Sequence, residues 1–157
     1  MTSLRFLAMP SDESRAYRGG GADANGHAPE RHVSPGGRMP CRHCLTEIDR
    51  DEPYLILAYR PFPAPQPYAE IGPIFLHAGP CERYGAVEQA PPMLLGRERI
   101  LLRGYGADDR IVYGTGQVVP GARIAEEAGT ILARPDVAYV HARSDSNNCF
   151  QCRIERG

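Results

Sequence analysis

Near its C-terminus the chain reads Val137-Ala-Tyr-Val-His-Ala-Arg-Ser-Asp-Ser-Asn-Asn-Cys-Phe-Gln-Cys-Arg-Ile154. Residues 137–143 predict a strand, 144–148 a polar turn, and 149–154 a second strand that returns beside the first. A five-residue turn rich in Ser, Asp and Asn is common between antiparallel strands, because these side chains hydrogen-bond to the turn backbone. The segment therefore predicts a β-hairpin, and with it a sheet that is mainly antiparallel.

Further apolar runs, each bounded by Gly or Pro, predict additional strands upstream of this hairpin. The run from Tyr54 to Tyr59 lies between two prolines and is apolar throughout, as in a strand that is covered on both faces. The remaining candidates are strands at 3–9 and 73–77 and a hairpin that joins 99–105 to 111–113.

One amphipathic helix is predicted over residues 122–134. Four apolar residues recur at helical spacing and form a single stripe: Ile124, Ala128, Ile131 and Leu132. Pro135 ends the pattern, and Gly129 inside it costs about 1 kcal/mol relative to Ala. The sequence thus predicts an α+β fold, a mostly antiparallel β-sheet or part-open barrel with one main helix against it.

Length, charge and hydropathy limit the classes of function. The chain has 157 residues and a formal net charge of −1 at pH 7, so we expect a single domain over 1–157 and no nucleic-acid partner. Glycine and proline number 17 and 15, and their density between about 18 and 40 predicts a long loop. No apolar run reaches the ~18 residues of a membrane span, and the N-terminal run is too short for a signal peptide. We therefore expect a soluble cytoplasmic protein without a membrane partner.

Two pairs of metal-ligating residue types flank the predicted strands at 54–59 and 73–77. Three thiolates and one imidazole are a typical ligand set for a structural zinc ion, which they bind tetrahedrally. The spacing C-x2-C-x32-H-x3-C therefore predicts a zinc site, and its four ligands are Cys41, Cys44, His77 and Cys81.

Two other interpretations of these residues stay open. Cys44 and Cys81 are also consistent with buried core cysteines, and His77 with a strand-end histidine that bonds to its neighbours. Cys41-x-x-Cys44 has the spacing of a redox motif as well. Such motifs normally open a helix that lowers the thiol pKa, and Pro53 leaves room for one helical turn at most.

Alternation along the C-terminal hairpin places several polar side chains on one face of the sheet. If Arg143 lies opposite Cys149, then His141 lies opposite Gln151, and these four side chains form a candidate ligand-binding site. Cys152 falls on the other, apolar face, so we expect it to be a small buried core residue.

The same polar face also has a chemical interpretation. A cation beside a thiol favours the thiolate, and a neighbouring imidazole can accept the thiol proton. Cys149 is thus a candidate nucleophile, His141 a candidate base and Arg143 a candidate for holding an anionic substrate, although no catalytic residue is assigned. The other interpretation is a solvated sheet face without chemistry.

Several motifs in this order are similar to those of a small bacterial family catalogued as domain of unknown function 1203 (DUF1203). The resemblance covers nearly the whole chain, and it rests on Cys41-x-x-Cys44, Ala58–Phe62, Gly72–His77 with Cys81, Val137–Arg143 and Asn148–Arg153. It implies a stand-alone bacterial protein with no established activity.

The sequence leaves two hypotheses of function. In the first, the protein is a zinc-stabilised module that binds a small molecule or another protein. In the second, it is a thiol-dependent enzyme that uses Cys149 with His141 and Arg143. Bound zinc with unreactive thiols favours the module, whereas a metal-free protein with one fast-reacting thiol favours the enzyme.

Overall fold

A computed structural model describes residues 3–157, in which eight strands form two antiparallel sheets. The strands are β1 (Leu4–Leu7), β2 (Glu30–Val33), β3 (Pro53–Tyr59), β4 (Gly72–His77), β5 (Ile100–Tyr105), β6 (Gln117–Val119), β7 (Tyr139–Ser144) and β8 (Phe150–Arg156). The helices are α1 (Ser11–Arg18), α2 (Pro92–Leu95) and α3 (Ile124–Leu132). The predicted α+β class is confirmed, and the described strands form two sheets rather than a closed barrel.

The larger sheet has the strand order β1-β8-β7-β5-β6. One of its faces is apolar, because Val140, Ala142, Cys152 and Ile154 all point to the same side and are fully buried. The predicted apolar stripe of α3 packs in the same core cluster. The helix is confirmed with narrower bounds, since a 3-10 turn at Gly121–Arg123 precedes it.

The smaller sheet has the order β2-β3-β4 and packs against the other face of the larger sheet. Its core side chains include Leu57 and Ile74, and Phe150 of β8 belongs to the same cluster. The rings of Tyr59 and Phe150 lie 5.9 Å apart and join the two sheets. Phe62 contacts Tyr105 of the larger sheet, with ring centroids 5.2 Å apart. A layer of aromatic side chains therefore fills the space between the sheets.

Three features differ from the sequence prediction. Helix α1 was not predicted, since six of its eight residues are polar or charged and the one fully buried side chain is that of Ser14. The predicted loop at about 18–40 contains β2, all four residues of which are exposed and carry no apolar pattern. The predicted hairpin of 99–105 with 111–113 forms only in part: the amide of Gly106 donates to the oxygen of Arg110 and the amide of Val112 to the oxygen of Gly104, but 111–113 is not a full strand. Residues 105 and 111 form a single bridge, and β6 is the strand that pairs with β5.

The C-terminal hairpin forms as predicted, but its register is different. Arg143 pairs with Phe150 and Ala142 with Cys152, so Gln151 is the extra residue of a β-bulge. A bulge places two residues of one strand against one residue of its partner. The expected pairs of Arg143 with Cys149 and of His141 with Gln151 are therefore wrong, and His141 pairs with Arg153 instead.

Within residues 3–157, no helix is both long enough and apolar enough to cross a membrane.

Two glycine substitutions test the packing of α3 and its entry turn. A Cβ at Gly121 would lie 2.3 Å from the backbone oxygens of Leu94 and Arg97, whereas a Cβ at Gly129 meets nothing within 4 Å. We expect Gly121→Ala to lower the free energy of unfolding by about 1–3 kcal/mol. Gly129→Ala should raise it by about 0.5–1 kcal/mol, because Ala favours the helix. Urea titration measures both, and changes of the same sign would contradict this packing.

Candidate metal cluster and inter-sheet cavity

Residues 40–47 form a tight turn that presents two thiols. The amide of Leu45 donates to the oxygen of Cys41 at 2.9 Å, and the amide of Cys41 donates to the oxygen of Thr46 at 3.0 Å. Leu45 has φ +56°, the left-handed conformation that such a reversal requires. This turn brings the side chains of Cys41 and Cys44 close together, and the described segment after Cys44 does not open a helix.

The turn docks against the end of β4. Cys41 forms a parallel bridge with Phe75, and the amide of Arg42 donates to the oxygen of Phe75 at 3.1 Å. His77 is the last residue of β4, and Cys81 follows it after a bend. The strand end thus delivers the second pair of side chains to the first.

The four predicted ligands meet at this junction. The ligand atoms of Cys41, Cys44, His77 and Cys81 all lie within 4.8 Å of one another. Cys41 Sγ is 3.9 Å from Cys81 Sγ, and Cys44 Sγ is 3.4 Å from His77 Nδ1. Ligands on one tetrahedral zinc ion are separated by roughly 3.3–3.8 Å, given metal–ligand distances of about 2.0–2.3 Å. The cluster could therefore hold a metal ion with little rearrangement.

Further polar groups surround the cluster. Glu52 Oε2 lies 3.9 Å from His77 Nε2, on the side of the ring away from the thiols. Arg18 Nη2 donates to Cys81 Sγ at 2.9 Å, and its Nε donates to the oxygen of His77 at 3.0 Å. His43 Nδ1 also lies 3.1 Å from Cys81 Sγ. Such groups orient metal ligands and fix the imidazole tautomer. Arg18 additionally ties α1 to the cluster.

The thiols influence each other's ionisation. Hydrogen bonds from the thiols of Cys44 and Cys81 hold the pKa of Cys41 far below its usual range. The same contacts with Cys41 raise the pKa values of Cys44 and Cys81. His77 has a raised pKa, chiefly because it bonds to Cys41. The cluster thus favours one negative charge and disfavours a second and a third unless a cation is present.

His141 lies between the two sheets, in a cage of aromatic rings. It is 1% exposed, and four ring centroids lie 4.7–5.2 Å from its own: Phe62, Tyr105, Tyr139 and Phe150. His141 lies on the strand face that the sequence predicts to be polar. That face is not open to solvent, because the smaller sheet and residues 61–71 cover it. His141 is therefore not a solvated surface residue.

One hydrogen bond of His141 assigns its tautomer. Its Nδ1 lies 3.4 Å from Arg143 Nη2, and because a guanidinium only donates, Nδ1 is the acceptor. The ring proton is thus assigned to Nε2, which is buried and has no hydrogen-bond partner among residues 3–157. Burial, followed by the charges of Arg143, Arg153 and Arg103, keeps the pKa of His141 well below 6.5.

Arg143 joins the larger sheet to the segment that covers it. Its Nη2 lies 3.2 Å from Glu70 Oε1 and 3.4 Å from the hydroxyl of Tyr105, and its Nη1 donates to the oxygen of Asn148 at 3.1 Å. Arg103 also pairs with Glu70. These contacts indicate that Arg143 has a structural role, in addition to its place beside His141.

The bulge separates Cys149 from His141. The ring of Phe150 packs against His141, whereas Cys149 Sγ donates to the oxygen of Asn147 at 3.7 Å. Gln151 Nε2 donates to the oxygen of Cys149 at 3.2 Å. The predicted polar face therefore divides into two groups, one with His141 and Arg143 and one with Cys149 and Gln151. The described contacts place no base beside the Cys149 thiol.

Cys152 lies in the core, as its apolar strand face predicts. It is fully buried next to the α3 stripe, and burial raises its pKa to about 12.

A cavity of about 280 Å³, here called the inter-sheet cavity, opens beside His141. Charged side chains from four segments line it: Glu13, Arg60, Arg83 and Arg153. Tyr59, Phe62 and Phe150 supply aromatic walls. No sequence pattern predicts this cavity, because its charged residues share no spacing and come from α1, two connecting segments and β8.

Comparison with known proteins identifies one family. The model of a protein family described as "Protein of unknown function (DUF1203)" matches residues 38–156. No curated protein and no solved structure matches the chain. The matched residues include all four members of the metal cluster and strands β3 to β8.

The buried His141 predicts a pH dependence of stability. An unfolded histidine has a pKa near 6.5. Below that pH the unfolded chain therefore binds a proton at this residue, whereas His141 in the folded protein stays neutral because its pKa is lowered. Stability should therefore fall as the pH drops below about 6.5, and this residue's contribution approaches about 1.4 kcal/mol per pH unit. In His141→Gln, the loss of unfolding free energy between pH 7 and pH 5 should be smaller than in the wild type.

Urea titrations at the two pH values measure this difference. His27→Gln is the matched control, because it also removes one histidine, but one that is exposed and lies outside the aromatic cage of His141. An equal loss in His141→Gln and the wild type would show that His141 takes up a proton in the folded protein.

Proposed function

The chain belongs to the DUF1203 family of proteins of unknown function, and we propose that it is a zinc-stabilised module that binds a small anionic ligand between its two sheets. The observation that carries the zinc assignment is the meeting of four metal-ligand atoms within 4.8 Å. All five cysteines are free thiols, which supports a reducing compartment such as the cytoplasm.

Zinc suits the cluster better than other common ions. Three thiolates and an imidazole are soft or borderline ligands, which favour zinc over magnesium or calcium. A dication also removes the repulsion that keeps Cys44 and Cys81 from ionising beside Cys41. The four protein ligands complete a tetrahedral shell, so the ion has a structural role and no open position for catalysis.

Such an ion would join parts of the chain that are far apart in sequence. It links the turn at 41–44 to the strand end at 77–81, and Arg18 extends the link to α1. Metal-binding free energy becomes folding free energy when the site exists only in the folded chain. The ion therefore stabilises the contact between the smaller sheet and its surroundings.

The inter-sheet cavity supports the binding of an anion. Three arginines and one glutamate line it. Each guanidinium uses only some of its donors within the described chain: Arg60 Nε donates to the oxygen of Phe62, Arg83 Nη2 to the oxygen of Ala8 and Arg153 Nε to Glu155. His141 adds a buried Nε2–H donor without a partner among the described residues. A carboxylate or phosphate would satisfy these donors, and the aromatic walls suit an apolar body on the same ligand.

Substitution of a cluster cysteine tests the zinc assignment. We expect the wild type to bind about one equivalent of zinc per chain and Cys44→Ser to bind less. Elemental analysis measures the zinc content of both proteins after they are purified without chelators in a buffer that contains zinc. Loss of the bound ion should lower the free energy of unfolding by about 4 kcal/mol when free zinc exceeds its Kd about a thousandfold. Cys149→Ser is the matched control and should keep both zinc and stability. A metal-free wild type, or equal zinc in Cys44→Ser and the wild type, would refute the assignment.

A pair of aromatic probes tests the ligand site. Benzoate should bind to the zinc-loaded protein and shift the ¹⁵N resonance of His141 Nε2, whereas benzyl alcohol, which lacks the charge, should not. Arg153→Gln should weaken benzoate binding about tenfold or more, since a charged hydrogen bond contributes about 1.5–3 kcal/mol. Exposed Arg31→Gln is the control. Binding of both probes alike, or of neither, would contradict an anion site.

A further inference from the structure

A second cavity, of about 160 Å³, lies at the turn between β7 and β8 and is called the turn cavity here. Its walls come from the segment at 38–42, from Pro73 and Phe75 of β4, from residues 97–100, and from the turn at 144–147 with Cys149 and Gln151. It contains the second half of the divided polar face, Cys149 and Gln151, and shares no lining residue with the inter-sheet cavity.

Arg42 is a buried charge in the lining of the turn cavity. Its side chain is 2% exposed. Nε donates to the oxygen of Phe150 at 2.7 Å and Nη1 to the oxygen of Pro40 at 2.7 Å, so both hydrogen-bond partners are neutral carbonyls. Within residues 3–157, no carboxylate lies within 4.0 Å of this guanidinium. Cys149, Cys41 and Glu47 offset this charge electrostatically, but none of them is hydrogen-bonded to it. A buried charge without a direct counter-ion is costly, and an anion in the cavity would lower that cost.

Gln151 presents an unpaired hydrogen-bond acceptor, which a ligand with a hydrogen-bond donor would satisfy. Its Nε2 donates to the oxygen of Cys149, which fixes the orientation of the amide. Its Oε1 is therefore an acceptor, and it is buried without a hydrogen-bond partner in the described chain. A buried acceptor left unpaired destabilises the folded protein, because it has lost its hydrogen bond to water. A hydroxyl, an amine or a protonated phosphate oxygen on the ligand would satisfy it.

The remaining charged groups of the turn cavity leave an excess of positive charge. Arg97 pairs with Glu47 at 2.8 Å and Arg99 with Asp145 at 3.4 Å, and Asp145 is the one acidic residue among the lining residues described. Arg38 and Arg42 carry the unbalanced charge. The volume of about 160 Å³ fits an ion of a few heavy atoms.

We propose that the turn cavity is a second binding site, specific for a small oxyanion that also carries a hydrogen-bond donor. Arg42 and Arg38 neutralise the anion, and Gln151 Oε1 accepts the donor. Hydroxycarboxylates, aminocarboxylates and hydrogen phosphate share this chemistry. The proposal does not depend on the inter-sheet site, since a different set of residues carries it.

The thiol of Cys149 reports on occupancy, because it belongs to the lining of the cavity. Zinc-loaded full-length protein is alkylated with iodoacetamide, and peptide mapping gives the labelling rate of Cys149. Glycolate and inorganic phosphate should each slow the labelling about tenfold at about ten times their Kd. Acetate, which has the charge but no donor, should protect only at higher concentration. Buried Cys152 should stay unlabelled throughout.

Variants separate this site from others. Gln151→Met should remove the advantage of glycolate over acetate and keep the fold, because Met fills a similar volume. Arg42→Met should abolish the protection of Cys149 against alkylation. If Arg42→Met does not fold, Arg38→Gln tests the same site and should weaken the protection. Arg153→Gln, in the inter-sheet cavity, should leave protection unchanged. Unchanged labelling with every probe, equal protection by glycolate and acetate, or loss of protection in Arg153→Gln would overturn the proposal.

Discussion

Three sulfur atoms and one imidazole nitrogen have to occupy the same small volume at the end of β4. That constraint sets the geometry around it. The left-handed Leu45 closes the turn that carries Cys41 and Cys44, and a parallel bridge holds this turn against the strand. Arg18 connects the cluster to α1. Without a cation, the thiolate of Cys41 disfavours ionisation of its two neighbours, so the arrangement suits a bound dication far better than an apolar core.

The bulge at Gln151 is the second structural constraint. One extra residue turns Phe150 toward His141 and leaves Cys149 beside the turn. A thiol enzyme needs a base within hydrogen-bond reach of its nucleophile, and the described contacts of Cys149 provide an oxygen of Asn147 instead. The same bulge creates two separate polar environments. His141 presents an unpartnered donor to the inter-sheet cavity, and Gln151 presents an unpartnered acceptor beside the turn cavity.

Local patterns in the sequence predicted the elements that bury apolar side chains. β3, β4, the C-terminal hairpin and α3 follow from apolar runs and helical spacing, and the four cluster residues follow from ligand chemistry. Elements without such patterns were missed, as the polar α1 and the exposed β2 show. The bulge was missed because strand alternation assumes an unbroken register. Both cavities were missed because their arginines are brought together only by tertiary packing.

The central claim is that zinc closes the cluster of Cys41, Cys44, His77 and Cys81. X-ray absorption at the zinc edge tests it most directly, on protein purified without chelators. The account predicts one zinc ion with three sulfur ligands at about 2.3 Å and one nitrogen ligand at about 2.0–2.1 Å. Protein without zinc, or zinc whose neighbours are mainly oxygen and nitrogen, would contradict it.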